Sequence, residues 1–107
     1  MSLDVYLEAK DGGCLYEANI THNLNTMAEE AGIYKHLWRP DEIGVTAASE
    51  LIEPLRAGLH QLVERPSHFK QFDSPNGWGL YIHFVPFVSR YFEACVNNPS
   101  ALVRVSR

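Results

Sequence analysis

Hydrophobic residues near the start of the chain alternate with polar ones and predict a β-hairpin. Leu3, Val5 and Leu7 occupy every second position, the spacing of a strand with one buried face. The tripeptide DGG at positions 11–13 favours a tight turn, because glycine readily adopts positive φ. The segment Cys14–Ala18 is expected to return as the second strand.

After the hairpin, the hydrophobic spacing changes to that of amphipathic helices. Apolar residues recur at intervals of three and four from Leu24 to Ala31, one face of a helix. Thr21 or Asn19 is placed to cap the start of this helix. A short second helical piece is predicted to run as far as Trp38, before proline bars further helix.

A longer apolar stripe predicts a helix over residues 48–63. Thr46 is its expected N-cap, and Pro54 lies inside the stripe. Because proline lacks an amide hydrogen and clashes with the preceding turn, we expect a kink or a restart of the helix at Pro54. The dipeptide at positions 65–66 ends the helix, and one further helical turn is expected before Phe72.

The segment LYIHFVPFV is ambiguous, because its residues favour strands whereas its spacing is helical. Apolar positions from Tyr81 to Cys95 lie on one helical face, so we predict a helix that tolerates Pro86 by bending. Asn98-Pro99 ends it, and the alternation in Ala101–Val105 predicts a final strand. The order β-β-α-α-α-β predicts a single α+β domain over residues 1–107, with a small antiparallel sheet packed against three to four helices.

Composition and charge exclude several classes of protein. Hydrophobic residues make up 46% of the 107 residues, which is too many for a disordered chain. The first ten residues show no secretory signal, and no apolar run is long enough for a membrane span. Residues 1–53 hold ten acidic and three basic side chains, whereas residues 54–107 hold three and six. Because there is no basic cluster, nucleic-acid binding is disfavoured. Because there is no secretory signal and no membrane span, we expect a cytoplasmic protein.

Several long motifs resemble a family of small bacteriophage and bacterial proteins that carries no assigned activity. The motifs are ANITHNL, MAEEAGIYKHLWRPDEIG, LIEPLRAGL, NGWG with FVPFV and YFEAC, and the terminal VSR. The resemblance covers nearly the whole chain. Family members differ most in the first hairpin, which is short here. The resemblance implies a phage or prophage accessory protein that acts inside a bacterial host cell, and a role against host defence follows from that context alone.

Three segments combine aromatic and polar side chains in a way that is typical of a ligand site. NITHN crowds amides, a hydroxyl and an imidazole at a helix start, WRPDE adds an indole and a guanidinium, and NGWG adds an indole between two glycines. Aromatic faces stack on planar molecules, amides read polar edges and arginine neutralises phosphate. The candidate ligand-binding residues are His22, Asn23, Trp38, Arg39, Asn76, Trp78 and Tyr81.

Each of these segments also has a purely structural interpretation. NITHN caps a helix, Arg39 pairs with Asp41 or Glu42 while Trp38 fills the core, and Trp78 plugs the core at the entrance to the last helix. The sequence leaves both interpretations open. Only if the three segments meet in space do the candidates form a site.

The sequence favours a noncatalytic binding protein whose partner is a host protein or a small planar or phosphorylated molecule. There is no nucleophile elbow, P-loop, zinc-protease motif or dinucleotide fingerprint, and the five histidines lack metal-ligand spacing with the two cysteines. We therefore expect no catalytic residue, metal or cofactor. Two alternatives remain, namely a small hydrolase or transferase that uses His22 and an assembly protein that forms a homodimer.

Overall fold

The computed structural model describes residues 2–107 and confirms the α+β fold class. In chain order, the elements are β1 (Ser2–Glu8), β2 (Cys14–Thr21), α1 (Asn25–Glu30), α2 (Tyr34–Trp38), α3 (Ser49–Glu64), α4 (Pro66–Lys70), α5 (Tyr81–Asn97) and β3 (Leu102–Ser106). Short 3₁₀ turns at His22–Leu24 and Pro40–Ile43 follow β2 and α2. The helices α2 and α4 have only five residues each, so α3 and α5 supply most of the helical layer.

The sheet is antiparallel with strand order β2-β1-β3, so the first strand of the chain lies in its centre. Val5 pairs with Ala18 of β2 on one side and with Val105 of β3 on the other. Leu3, Val5 and Leu7 of β1 are fully buried and face the core, as their alternation predicts. The helices α3 and α5 pack against each other over this face of the sheet.

The two long helices accommodate proline without interruption. Pro54 and Pro86 each occupy the sixth position of a helix, in α3 and α5 respectively. The expected restart at Pro54 is therefore wrong: near the start of a helix a missing amide hydrogen costs a single intrahelical bond. Thr46 is not the cap of α3. Its hydroxyl instead bonds the carboxylate of Glu50 at 3.2 Å, and that carboxylate also accepts the Ala47 amide.

None of the helices within residues 2–107 combines the length and the apolarity that a bilayer crossing requires. The longest, α5, has 17 residues and carries both Arg90 and Glu93, whereas a crossing needs about 20 mostly apolar residues.

Candidate functional site

An open cleft of about 810 Å³ lies where the end of β2 meets the loop that precedes α5. Its walls are formed by residues 19–24 on one side and by residues 76–79 on the other, with Ser2 and His83 at its margins. Four of the seven candidates line it, namely His22, Asn23, Asn76 and Trp78. Two segments that are more than fifty positions apart in the chain therefore share one concave surface.

The loop over residues 74–79 owes its shape to Asn76 and two glycines. The Asn76 side-chain oxygen accepts the Ser74 hydroxyl at 2.6 Å and the Trp78 amide at 2.9 Å. The Ser74 amide donates to the Gly79 carbonyl at 3.0 Å and closes the loop. Gly77 and Gly79 have φ values of 78° and 116°, which side chains other than hydrogen rarely permit. Asn76 is thus a structural element of the loop as well as part of the cleft lining.

The loop is fixed to the end of β2 through Asn23 and Gly79. The Asn23 amide group donates to the Trp78 carbonyl at 2.7 Å. A Cβ atom at Gly79 would lie 2.9 Å from the Asn23 Cβ and 3.3 Å from a methyl carbon of Thr21. Only glycine therefore allows the backbone to approach β2 this closely. The Thr21 hydroxyl accepts the Asn23 amide at 3.3 Å and so caps the 3₁₀ turn His22–Leu24. The helix α1 itself starts after Leu24 without a side-chain cap, so the expected capping of that helix by Thr21 or Asn19 is wrong.

Trp78 presents its indole to solvent beside the cleft, with 71% of the residue exposed. Its backbone, in contrast, is held on both sides, since its amide bonds Asn76 and its carbonyl accepts from Asn23. The structural interpretation of Trp78 as a core plug is therefore wrong. The main chain that carries this large apolar ring is held in place, and the ring itself is left uncovered.

His22 connects the cleft to the core through the second tryptophan. The Trp38 indole N–H donates to His22 Nδ1 at 2.8 Å, and the Trp38 ring stacks on Tyr34 with centroids 5.5 Å apart. Trp38 is only 2% exposed and does not line the cleft. Because Nδ1 accepts this bond, a neutral His22 carries its proton on Nε2. The imidazole therefore has one nitrogen, an N–H donor, left for a bound molecule.

The remaining two candidates, Arg39 and Tyr81, lie outside the cleft. The Arg39 guanidinium donates to the Tyr34 hydroxyl at 3.2 Å and to Glu42 at 3.1 Å. The bond with Tyr34, followed by the Glu42 carboxylate, raises the pKa of Arg39. The Tyr81 hydroxyl donates to the Leu62 carbonyl at 2.7 Å and so ties α5 to α3. Both side chains make local structural contacts, and the structure brings neither of them together with Trp78.

Four lining residues with polar side chains were not among the candidates: Ser2, Asn19, Thr21 and His83. The hairpin register pairs Ser2 with Thr21, so the start of β1 necessarily lies beside the end of β2. Asn19 donates to the Ser2 hydroxyl at 2.9 Å and to Asp4 at 2.7 Å. An exact hairpin register would have indicated Ser2 and Asn19, whereas His83 carries no sequence signal beyond its position in the first turn of α5.

The lining of the cleft combines polar side chains with the indole of Trp78. No Lys, Arg, Asp or Glu is among its lining residues in the described part of the chain. Within residues 2–107, the only hydrogen bond of the His22 imidazole is the one from Trp38, and no carboxylate reaches the ring. Over the same residues, no group of three or more His, Cys, Asp or Glu side chains is placed to hold a metal ion.

Comparisons with protein-family models, with curated proteins and with solved structures found no match.

Proposed function

We propose that this chain is a noncatalytic binding protein and that the cleft beside Trp78 takes a planar, uncharged molecule with a polar edge. The observation that carries the proposal is that the side chain of Trp78 is exposed while its backbone is held by hydrogen bonds. Its indole is 71% exposed, although hydrogen bonds on both sides hold its backbone. A fixed aromatic face at the rim of a cleft is a stacking surface for another flat ring.

Rigidity of the loop favours binding. A side chain or loop that must be ordered on binding costs roughly 0.5–1.5 kcal/mol per immobilised group, and this cost is absent where the loop is already fixed. The bonds of Asn76 and the close approach of Gly79 to Asn23 supply that order before any molecule arrives. The geometry therefore suits recognition by a preformed surface.

The polar groups of the cleft match the edge of a heterocycle. His22 offers an N–H donor, since its other ring nitrogen accepts from Trp38. Asn76 uses its oxygen within the loop and retains its amide N–H groups, whereas Asn23 uses its amide N–H and retains its oxygen. Donors and one acceptor thus line the same hollow as the indole.

The absence of Lys and Arg from the lining favours an uncharged ligand over a phosphorylated one. Arg39, the cation expected to neutralise a phosphate, is bonded to Tyr34 and Glu42 elsewhere. No other Lys or Arg lines the cleft within residues 2–107. A phosphate there would lose hydration without gaining an ionic partner, so we propose an uncharged ligand.

Neither alternative is favoured by a specific observation at this cleft. General base catalysis by His22 requires a nitrogen that accepts a proton from a substrate, but Nδ1 is already engaged by Trp38 and no carboxylate orients the ring. Assembly through a large apolar patch would require exposed apolar residues to cluster. The exposed apolar residues Ile43, Val63 and Val96 lie on three different elements, and none of the three lines the cleft.

The resemblance described above adds a cellular context to the proposal. We propose that the protein acts in the cytoplasm of a bacterial cell, as a phage or prophage accessory protein that recognises a molecule of its host. Detection of a retained small molecule, by native mass spectrometry of protein purified from such cells, would support this context.

The proposal is tested by titration with four uncharged planar probes: adenosine, guanosine, cytidine and uridine. We expect at least one nucleoside to bind by saturation-transfer NMR, Trp78→Ala to abolish binding and Trp78→Phe to retain it. We expect the corresponding 5′-monophosphate to bind less than about tenfold more tightly, because the lining residues supply no cation.

Two outcomes would overturn this function. One is failure of all four nucleosides to bind the native protein. The other is binding that Trp78→Ala leaves unchanged, which would place the ligand away from the indole. If the 5′-monophosphate bound much more tightly than the nucleoside, the proposal of an uncharged ligand would be wrong and the ligand would be a phosphorylated molecule.

A further inference from the structure

A second hollow, of about 500 Å³, lies between β2 and the first half of α5. Its walls include Tyr16, Ala18, Ile82, Pro86, Phe87 and Arg90, and we call it the β2–α5 groove. Two observations show that the helix runs alongside the strand. The Tyr16 and Tyr91 rings stack with centroids 6.0 Å apart. Further along both elements, Ile20 and His83 line the same hollow. Four residues of strand and eight residues of helix each span about 12–13 Å, in agreement with this arrangement.

The free edge of β2 borders the groove. Within residues 2–107, the backbone of β2 hydrogen-bonds to no segment other than β1. An eight-residue strand that pairs on one side only has a row of backbone N–H and C=O groups on its other side. These groups are a template for one more strand.

The opposite edge of the sheet is covered. Leu102 of β3 forms a bridge with Ala47, and the Val103 amide donates to the Thr46 carbonyl at 2.9 Å. At the far end, the Arg107 guanidinium bonds the Trp38 carbonyl at 2.8 Å. Edges are commonly protected by such cover or by lysine and proline. The strand β2, with the sequence CLYEANIT, contains neither lysine nor proline.

We propose that an extended, acidic segment of a partner protein adds to the free edge of β2 as a fourth strand and places its alternate side chains in the β2–α5 groove. The length and shape of the groove define the segment. Ile82 is 64% exposed at one end, and Arg90 lies two helical turns further along α5. Eight residues of helix span about 12 Å, which a strand covers in about four residues. An apolar and an acidic side chain four positions apart in the partner segment would therefore face Ile82 and Arg90 at the same time.

Charge selects a partner segment over a second copy of this chain. Across residues 2–107, Arg90 forms neither an ion pair nor a side-chain hydrogen bond, so its guanidinium is available to a carboxylate. The only acidic residue of β2 is Glu17, which alternation places on the face away from the groove. The β2 strand of a second copy would therefore bring no carboxylate to Arg90.

This inference does not rest on the function proposed for the cleft. Trp78 does not line the groove, although both hollows share Asn19, Ile20 and His83. Trp78→Ala is therefore expected to leave strand addition intact, whereas it removes binding of a planar molecule.

The test is selection from a displayed library of random peptides about ten residues long, the length of a long strand. We expect the enriched peptides to contain an acidic residue four positions from an apolar one. A synthetic enriched peptide should bind Arg90→Glu at least about tenfold more weakly, since a charge-assisted bond becomes a repulsion. The matched control is Arg65→Glu, which changes an exposed arginine outside the groove and should leave the affinity unchanged.

Hydrogen exchange on the unmutated protein supplies a readout independent of the variants. The bound peptide should slow exchange of amides in Cys14–Thr21 and not of those in Leu102–Ser106. Several outcomes would overturn the proposal: no enriched peptide, equal affinity of Arg90→Glu, protection elsewhere, or sedimentation of a dimer whose β2 amides are protected without any peptide. The last outcome would assign the free edge to a second copy.

Discussion

The two tryptophans of this protein lie in neighbouring regions and are held in opposite ways. Trp38 is 2% exposed, and its side chain makes the contacts, with a hydrogen bond to His22 and a stack on Tyr34. Trp78 is 71% exposed, and its backbone makes the contacts, while the ring remains uncovered. The comparison teaches that a tryptophan can have a fixed backbone position without a buried ring, provided that the loop carrying it is hydrogen-bonded through its main chain.

The largest effect is expected for Trp38→Ala, which removes the buried ring. We expect a loss of about 3–5 kcal/mol in the free energy of unfolding, typical of a large aromatic deleted from a core. Urea denaturation followed by circular dichroism measures it. Trp38→Phe is the control, because it keeps much of the volume but cannot donate to His22, and it should cost clearly less. Equal losses for the two variants would show that the hydrogen bond, rather than packing, holds this region.

An intermediate effect is expected for Gly79→Ala. The substitution forces a side chain into a positive-φ conformation and brings its Cβ within 2.9 Å of Asn23, so we expect a loss of about 1–3 kcal/mol. Gly77→Ala is the matched control, since Gly77 also has positive φ but its Cβ would meet nothing within 4 Å. Thermal unfolding of both variants separates strain from contact. If Gly77→Ala costs as much as Gly79→Ala, close approach to β2 does not fix the loop.

The smallest effect on stability is expected for Trp78→Ala. Surface substitutions away from packed features usually change the free energy of unfolding by less than about 0.5 kcal/mol, and this ring is mostly in water. The same denaturation measurement applies. A loss approaching that of Trp38→Ala would mean that the indole packs against the protein in solution, and the stacking surface would then not exist.

The fold followed from the sequence because the period of the hydrophobic pattern was unambiguous in most elements. Leu3, Val5 and Leu7 alternate, and the helical spacing after Tyr81 outweighed the strand preferences of its residues, as α5 shows. The misplaced features were local. Pro54 lies early enough in α3 to be tolerated, and Thr46 bonds Glu50 instead of capping the helix. Such details depend on the position of a helix start, which periodicity locates only within a few residues.

The site was less accessible to sequence reasoning, because its residues come together through tertiary contacts. Turn chemistry correctly indicated an unusual loop at Trp78, but only the close approach of Gly79 to Asn23 shows which segment it meets. Arg39 was assigned to the site by its chemistry alone. Nearer partners, Tyr34 and Glu42, bind its guanidinium instead.

The central position of β1 also has a consequence for how the chain acquires its structure. Its pairing with β2 joins residues close in sequence, whereas its pairing with β3 joins Asp4 to Ser106 and Glu8 to Leu102, about a hundred residues apart. During synthesis the hairpin can form early, but one side of β1 stays unpaired until the last strand leaves the ribosome. Completion of the sheet therefore has to wait until all the helices between β2 and β3 have been synthesised.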